Sequence, residues 1–322
     1  METVLVTGGA GFIGSNLCGA LLGQGYRVVC VDDFSGDLYD PKFKREHLNS
    51  LSNNDNFVLY ENNISDLDAL RNIFAKEKPD YVAHLAARAN VRNAVKDPYP
   101  YVDVNVTGTL NVLELCRDFE VKNVVVASSG SVYGDNPHVP WREDEGADKP
   151  VSPYGATKRA SELLAYTYHR NFGLNVTCLR YFNAYGENNR PDLVPYIWTE
   201  ALLTHKEIEI SGDGSRKRDY TYVGDVVEAT ILAIKKPLGF EIINIGNSHP
   251  ISLKELLTVF EKMTGVTAQV KSRPSNSISA EITYADISKA RKLLDWEPKV
   301  GIEEGIEKLV SWFKENRVKD PL

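Results

Sequence analysis

The sequence predicts an α/β fold in which a doubly wound parallel sheet is followed by a smaller, mostly helical domain. In the first half, short runs rich in Val alternate with helical patterns, and after about residue 180 this alternation stops. The runs carry polar residues mainly at their ends, as parallel strands do when both faces are buried. The predicted strands are Thr3–Thr7, Arg27–Val31, Phe57–Tyr60, Tyr81–His84, Asn123–Ala127 and Asn175–Leu179.

Helical patterns separate these strands, and regular βαβ alternation predicts a parallel sheet with right-handed crossovers. The first-half helices are predicted at Ile13–Leu22, Leu67–Ala75, Val102–Phe119 and Tyr154–Asn171. Those of the second half are predicted at Leu193–Leu203, Val223–Ile234, Leu253–Met263, Ile287–Leu294 and Ile302–Glu315. We therefore expect domains at 1–180 and 181–322, with the chain crossing between them and a ligand cleft where they meet.

Composition restricts the possible partners. The 322 residues carry a formal net charge of −7, so the chain has no long-range attraction for nucleic acid or anionic lipid. Its four cysteines are far apart and lie in apolar surroundings, which indicates reduced, buried thiols and no metal site. We find neither a signal-peptide pattern nor an apolar run of membrane length, so we expect a cytoplasmic protein.

A glycine-rich turn joins the first predicted strand to the first helix. Gly8 permits a tight turn, Gly11 lets a pyrophosphate approach the helix N-terminus, and Gly14 lets helix and strand pack closely. This pattern predicts a Rossmann-type dinucleotide site. Asp32 ends the second strand, where a carboxylate accepts hydrogen bonds from ribose hydroxyls and repels a 2′-phosphate, so NAD is favoured over NADP.

Tyr154 and Lys158 lie four residues apart at the start of a predicted helix and therefore share a face. A free phenol has a pKa of about 10, and a nearby ammonium and a cationic nicotinamide would lower it toward the range of a useful base. Ser129 and Ser131 follow the fifth strand and would lie beside this pair. By itself, such a Tyr/Lys pair is usually an ordinary helix surface, and its chemical interpretation depends on the accompanying turn, Asp32 and serines.

Together these motifs resemble the extended short-chain dehydrogenase/reductase superfamily, and within it the nucleotide-sugar 4-epimerases. The resemblance covers nearly the whole chain. It includes the glycine turn, the serine segment, Y-G-A-T-K at residues 154–158, R-Y-F-N at 180–183, G-D-G at 212–214, R-D-Y-T-Y-V at 218–223 and N-I-G at 244–246. It implies that Tyr154 takes the proton of the sugar 4-hydroxyl while hydride passes to a permanently bound NAD, with Ser129 assisting. It also implies a homodimer formed through the helices near 102–119 and 154–171.

The resemblance further implies which residues contact each ligand. The implied cofactor contacts are Gly8, Gly11, Phe12, Ile13, Gly14, Asp32, Asn63, Ile64, Leu85, Ala86, Ala87, Asn105, Tyr154 and Lys158. The implied contacts of a UDP-sugar are Arg92, Ser129, Ser131, Asn183, Arg190, Arg218 and Arg273. Two segments depart from the family pattern: residues 273–276 replace an R-x-G-D element, and Asn62-Asn63 replaces an acidic Gly-Asp.

Two further positions bear on the reaction. Related 4,6-dehydratases and decarboxylases carry acidic side chains directly before the V-Y-G element, where this chain has Gly130 and Ser131. Without those acids, the resemblance favours reversible epimerisation over elimination or decarboxylation.

The sugar is predicted from two conflicting signals. The segments 40–51, 85–92 and 190–192 resemble UDP-glucuronate 4-epimerases, in which the arginine of R-P-D faces the substrate carboxylate. Asn183 is instead typical of UDP-galactose 4-epimerases. Two alternatives remain: Arg190 could simply pair with Asp192, and the protein could be a non-catalytic NAD-binding sensor.

Overall fold

The structure of the protein, a computed structural model, describes residues 1–274 and 280–317. Its strands are β1 Thr3–Thr7, β2 Arg27–Asp32, β3 Phe57–Glu61, β4 Tyr81–His84, β5 Asn123–Ser129, β6 Val176–Tyr181, β7 Ala184–Tyr185, β8 Ile208–Ser211, β9 Lys217–Arg218, β10 Thr221–Tyr222, β11 Phe240–Ile245, β12 Ile251–Ser252 and β13 Val270–Arg273. Its α-helices are α1 Phe12–Gly23, α2 Lys42–Leu48, α3 Leu67–Glu77, α4 Val91–Lys96, α5 Tyr99–Val102, α6 Gly108–Asp118, α7 Pro153–Phe172, α8 Val194–Leu203, α9 Val223–Lys235, α10 Leu253–Thr264, α11 Ser288–Leu294 and α12 Ile302–Asn316.

A parallel sheet of seven strands forms the centre, in the order β11-β6-β5-β4-β1-β2-β3. The predicted α/β class and all the predicted first-half strands are confirmed, with ends within two residues of expectation. The sequence missed β11, which pairs with β6 although it lies beyond residue 180. This edge strand returns to the sheet formed by the first half of the chain. The division into domains at residue 180, with the chain crossing between them, remains a prediction.

Two apolar layers cover the faces of the sheet, as a parallel sheet requires. One face packs against α1 and α9, around buried residues such as Leu17 and Val226. The other packs against α3, α6 and α7, around residues such as Phe74 and Leu113. A separate core among α8, α10 and α12 includes Trp198 and supports the smaller, mostly helical part.

The helix predicted at Val102–Phe119 is wrong as a single element. Residues Asp103–Thr107 form a π-helical turn between α5 and α6. A π-helical turn accommodates an extra residue within a helical run and is often found at functional sites. Here it carries Asn105, whose side chain is buried and bonded to two other segments.

A buried ion pair joins α7 to the sheet. Arg180 on β6 donates from Nε and Nη2 to the two carboxylate oxygens of Glu162 on α7, at 2.8 Å each, and both side chains are almost fully buried. Glu162 also accepts from the Ser128 hydroxyl at 2.6 Å and from Arg159 at 3.0 Å. The pair therefore fixes the helix that carries Tyr154 and Lys158 relative to the ends of β5 and β6.

We predict that Arg180→Met lowers the free energy of unfolding by about 3–5 kcal/mol, because it leaves Glu162 buried without its main counter-charge. Chemical denaturation followed by circular dichroism measures the change. The matched control is Lys262→Met, which breaks the exposed Lys262–Glu303 pair and should cost at most about 1 kcal/mol. Equal losses in the two variants would contradict a special role for the buried pair.

Candidate active site

A cleft of about 730 Å³ lies at the carboxyl ends of the parallel strands. This volume is within the range of small-molecule sites, and the position is where ligands bind in open α/β sheets. Its wall combines the loops after β1, β2, β4, β5 and β6 with residues of the second half of the chain. These include Ile197, Trp198, Arg216, Arg218, Leu253 and Arg273.

The glycine turn forms one end of this cleft. Gly8 has φ +70°, and a Cβ there would lie 2.7 Å from the Ala86 nitrogen, so only glycine fits. A Cβ on Gly14 would collide with the Gly8 carbonyl oxygen. Gly11 caps α1 with no side chain, which leaves the N–H groups of the first turn, at Phe12 and Ile13, to the cleft that both residues line. This geometry fits a pyrophosphate.

The Asp32 carboxylate lies at the adjoining end of β2 and lines the cleft. It accepts from the backbone nitrogens of Ala10 at 3.1 Å and Phe34 at 2.9 Å, and from Lys44 Nζ at 2.9 Å. These bonds hold it beside the glycine turn, where the carboxylate can receive ribose hydroxyls. The placement agrees with the predicted preference for NAD.

The structure places other predicted cofactor residues in two groups. Leu85, Ala86 and Ala87 line the cleft after β4, whereas the cleft wall does not include Asn63, Ile64 or Asn105. Asn63 accepts from the Ser65 nitrogen at 2.9 Å, and the Ile64 side chain is buried. Asn105 bonds to the backbone of Arg88 and to Thr157, so its contacts are within the protein.

Tyr154 lies at the start of α7, opposite the serine loop. Ser152 caps the helix by accepting from the Gly155 nitrogen at 3.1 Å, with Pro153 at its first position. A Cβ on Gly155 would lie 2.6 Å from the Ser131 carbonyl oxygen, so this glycine permits the close approach of helix and loop. Burial raises the pKa of Tyr154, while a hydrogen bond with Ser129 and the charge of Arg190 act to lower it.

Lys158 is buried one turn further along α7. Its Nζ donates to the Ala127 carbonyl at the end of β5, at 2.7 Å. Burial lowers the pKa of Lys158 to about 8, against the opposing effects of Cys178 and Glu162. The Lys158 ammonium is thus held by the strand carbonyl, and Ser129 and Arg190 are the groups that act to lower the pKa of Tyr154. A stabilising effect of Lys158 on the phenolate stays a prediction.

Ser129 and Ser131 both line the cleft, and the Ser129 hydroxyl donates to the Ser131 hydroxyl at 3.2 Å. Between them, Gly130 packs against the Phe182 ring, so that a Cβ would lie 3.0 Å from two ring carbons. Gly130, the first of the two positions at which related dehydratases carry an acid, thus has little room for any side chain. This packing explains the glycine in physical terms.

Arginines line the opposite part of the cleft. Burial lowers the pKa of both Arg92 and Arg218, and the nearby charges of Arg273 and Arg216 lower the two pKa values further. Arg218 donates to the Lys217 carbonyl at 2.7 Å. An anion here would relieve the mutual repulsion of the guanidinium groups, which fits a diphosphate. The residues after Arg273 that depart from the family pattern, Ser275 and Asn276, lie outside the described part of the chain.

Arg190 forms a bidentate pair with Asp192, at 2.9 Å from Nε and 2.7 Å from Nη2, and Nη2 also donates to the Ala89 carbonyl. The alternative interpretation, a loop arginine that pairs with Asp192, is therefore correct as a description of this contact. Arg190 nevertheless lines the cleft and acts electrostatically on Tyr154. Arg190 is thus both paired with Asp192 and placed in the wall of the cleft.

Asn183 lines the cleft with φ +25°, a conformation that asparagine tolerates better than a β-branched residue does. The Thr283 hydroxyl donates to its Oδ1 at 3.1 Å. In turn, Thr283 Oγ1 accepts from the Asp219 nitrogen at 3.0 Å. These bonds orient the amide so that Nδ2 is left as a donor.

Sequence reasoning missed several residues of the cleft, among them Asp33, Asp37, Lys44, Arg88 and Thr283. Tyr101 was also missed; its ring packs edge-on against Tyr154, with centroids 6.4 Å apart. Asp33 follows Asp32 directly, and two adjacent carboxylates at a strand end were the available signal. The remaining residues become neighbours of the site only through folding.

Within residues 1–274 and 280–317, no three His, Cys, Asp or Glu side chains are grouped so that they could hold a metal ion. In the same ranges, each helix is too short or too polar to cross a membrane.

Comparison with known proteins identifies the relatives of this chain. A family model described as GDP-mannose 4,6 dehydratase matches residues 5–309. A UDP-glucuronate 4-epimerase of Thermodesulfobacterium geofontis is 45% identical, over 98% of this chain and 97% of that protein.

Two solved structures share the fold over nearly their full length. The Bacillus cereus UDP-glucuronic acid 4-epimerase in complex with UDP-glucuronic acid and NAD has a TM-score of 0.92 and 36% identity, covering 98% of this chain and 99% of that one. A Thermotoga maritima UDP-glucose 4-epimerase with UDP-glucose has a TM-score of 0.90 and 37% identity, with the same coverage.

We predict that Gly14→Ala abolishes retention of a dinucleotide during purification, because the new methyl group must displace the Gly8 carbonyl and distort the turn. Nucleotide released by heating and quantified by chromatography measures the retention. Gly23→Ala, at the other end of α1, is the matched control: a Cβ there meets nothing within 4 Å. This control should retain the dinucleotide and be stabilised by up to about 1 kcal/mol. Full retention by Gly14→Ala would argue against the assigned role of the turn.

Proposed function

The chain belongs to the GDP-mannose 4,6 dehydratase family, and we propose that it is an NAD-dependent epimerase that inverts C4 of a UDP-hexose, with UDP-glucuronate and UDP-galacturonate as its substrate and product. One observation carries the proposal: Tyr154, Ser129 and Arg190 face the cleft whose other end is the glycine turn. The cleft thus combines a proton acceptor, a cation and a dinucleotide turn. The relatives named above support the reaction type.

The residues divide the chemistry as follows. When bound, NAD accepts a hydride from C4 of the sugar and returns it to the opposite face. Tyr154 takes the proton from the 4-hydroxyl in the first half-reaction and gives it back in the second. Ser129 bonds to Tyr154 and to Ser131. From this position its hydroxyl can hydrogen-bond the sugar 4-oxygen while Tyr154 transfers the proton. Lys158, fixed at Ala127, can hold the nicotinamide ribose.

A carboxylate at C6 would suit Arg190. Nε and Nη2 are bonded to Asp192, and among the described residues no acceptor is bonded to Nη1. The Nη1 group can therefore donate to a substrate carboxylate. When no substrate is bound, Asp192 still pairs with the buried Arg190 cation. Arg190 therefore favours a uronate over a neutral hexose.

The second candidate is a UDP-glucose/UDP-galactose 4-epimerase or its N-acetylated counterpart, which Asn183 favours. The Thermotoga maritima structure shows that this activity occurs on the same fold. However, the positive φ of Asn183 accounts for asparagine at this position whatever the substrate is. A non-catalytic NAD-binding sensor is a lesser candidate, against which the complete set of Tyr154, Lys158 and Ser129 argues.

We also propose a homodimer formed through α6 and α7. These helices pack on each other and expose the large apolar side chains of Leu110, Leu163 and Tyr166, and Val102 at the end of α5 is exposed as well. Such a surface is typical of a subunit interface. A cytoplasmic location is likewise a proposal, supported by four buried thiols that are all unpaired.

The proposed activity predicts that purified protein, without added cofactor, converts UDP-glucuronate to UDP-galacturonate, because bound NAD is regenerated in every cycle. Parallel incubation with UDP-glucose should give little UDP-galactose, and NMR identifies the products. Tyr154→Phe should lower kcat by about 10²–10⁴-fold, since general acid–base catalysis contributes about that much. Turnover of UDP-glucose alone would favour the second candidate, and an active Tyr154→Phe variant would contradict the assigned base.

We further predict that Arg190→Gln lowers kcat/KM for UDP-glucuronate by at least about tenfold more than for UDP-glucose, given a charge-assisted bond of about 1.5–3 kcal/mol. Steady-state kinetics on both substrates measures the ratio. Arg142→Gln is the matched control, because Arg142 forms an exposed pair with Asp144 and does not line the cleft. Equal decreases in kcat/KM for the two substrates would show that Arg190 supports the site without contacting the substrate carboxylate.

A further inference from the structure

Arg88 forms a bridge between two loops at the cofactor end of the cleft. Its Nη2 contacts Asp33 at 2.8 Å, and its Nε contacts Asp37 at 2.8 Å. Asp33 and Asp37 belong to the loop after β2, whereas Arg88 belongs to the loop after β4, and all three line the cleft. Two loops that are separate in the chain are thus joined by one guanidinium group.

The order of strands shows what lies between these loops. In the sheet, β1 lies between β4 and β2, so the glycine turn that follows β1 is flanked by the two loops. A link from one loop to the other passes across the carboxyl end of β1. A dinucleotide whose pyrophosphate rests on that turn would therefore be enclosed by the bridge.

Arg88 is held rigidly at its own end. The Asn105 side chain accepts from the Arg88 nitrogen at 2.8 Å and donates to the Arg88 carbonyl at 3.1 Å. Asn105 is 1% exposed and also donates to Thr157, the neighbour of Lys158 on α7. The π-helical turn thus holds the Arg88 backbone from both sides and connects it to the catalytic helix.

The other end of the bridge is held differently. Phe34, the second residue of this loop, is buried, has φ +48° and is anchored by its nitrogen to Asp32. Asp33, which precedes this anchor, is one-fifth exposed, and Asp37, which follows it, is more than half exposed. Burial acts to raise the pKa of Asp33, but the bonds from Arg88 and the Ser35 nitrogen and the charges of Arg88 and Lys44 together keep that pKa below its ordinary value. Arg88 donates a hydrogen bond to Asp33, whereas its contact with Asp37 is an ion pair without hydrogen-bond geometry. The link is therefore weaker at the Asp37 end.

We propose that Arg88, together with Asp33 and Asp37, is a clasp that closes over the cofactor and sets how long NAD stays bound. Arg88 is a positioning residue, since it acts by joining the loops. The clasp rests on the proposed function, because an epimerase regenerates NAD in every cycle and needs no exchange.

The test measures exchange of bound NAD for isotopically labelled NAD in the purified holoprotein, without turnover. Arg88→Gln should exchange about tenfold faster, and Asp37→Asn about threefold faster, the size expected for a half-exposed ion pair. The double variant should exchange no faster than Arg88→Gln, because both changes open the same contact. Arg142→Gln, which breaks an exposed pair away from the cleft, should exchange like the wild type.

Each other outcome counts against the clasp. Wild-type exchange in Arg88→Gln would overturn it while leaving the epimerase proposal intact. Faster exchange in Arg88→Gln with no change in Asp37→Asn would overturn the part assigned to Asp37. If Arg88→Gln fails to fold, Asp37→Asn decides alone, since its side chain is exposed. A wild-type protein that carries no nicotinamide would overturn both the proposed function and the clasp.

Discussion

The buried pair between Glu162 and Arg180 is the constraint on which the geometry of the site depends. Removing two charges from water is costly, and here the cost is offset by the bonds of Glu162 to Ser128, Arg159 and Arg180. In the sheet, Ser128 and Arg180 are paired neighbours on β5 and β6. One carboxylate therefore joins two strand ends and α7, and so determines where Tyr154 stands relative to Ser129.

The supporting contacts continue into the second half of the chain. Arg180 stacks over the Tyr133 ring, whose hydroxyl donates to Asn244 on β11 at 2.8 Å. By contrast, the rim of the cleft is held by ion pairs that are partly exposed, such as Arg88 with Asp37. The cleft thus has a buried, closely bonded floor and a rim held by partly exposed ion pairs. This combination suits a reaction in which the sugar must turn over while the reacting groups stay in place.

The fold could be predicted from the sequence where the signal is local. Apart from the edge strand β3, the first-half strands are buried on both faces and mostly Val-rich, so their pattern is clear. The edge strand β11 was missed because its first residues are half-exposed and polar residues interrupt it. The π-helical turn was missed because one inserted residue leaves the helical periodicity visible on either side. Both features result from packing between distant segments.

The site shows the same division. The glycine turn, Asp32 and the Tyr154–Lys158 spacing each belong to one short segment, so the sequence reveals them. The contacts of Arg88 with Asp33, and of Arg190 with the Ala89 carbonyl, join loops that only the fold brings together. The identity of Asn183 is explained by its backbone conformation. Its positive φ favours asparagine for the backbone alone, so its identity carries little information about the sugar. Arg190 is the stronger guide, because a guanidinium that lines the cleft can bond a substrate carboxylate, a group that a neutral hexose lacks.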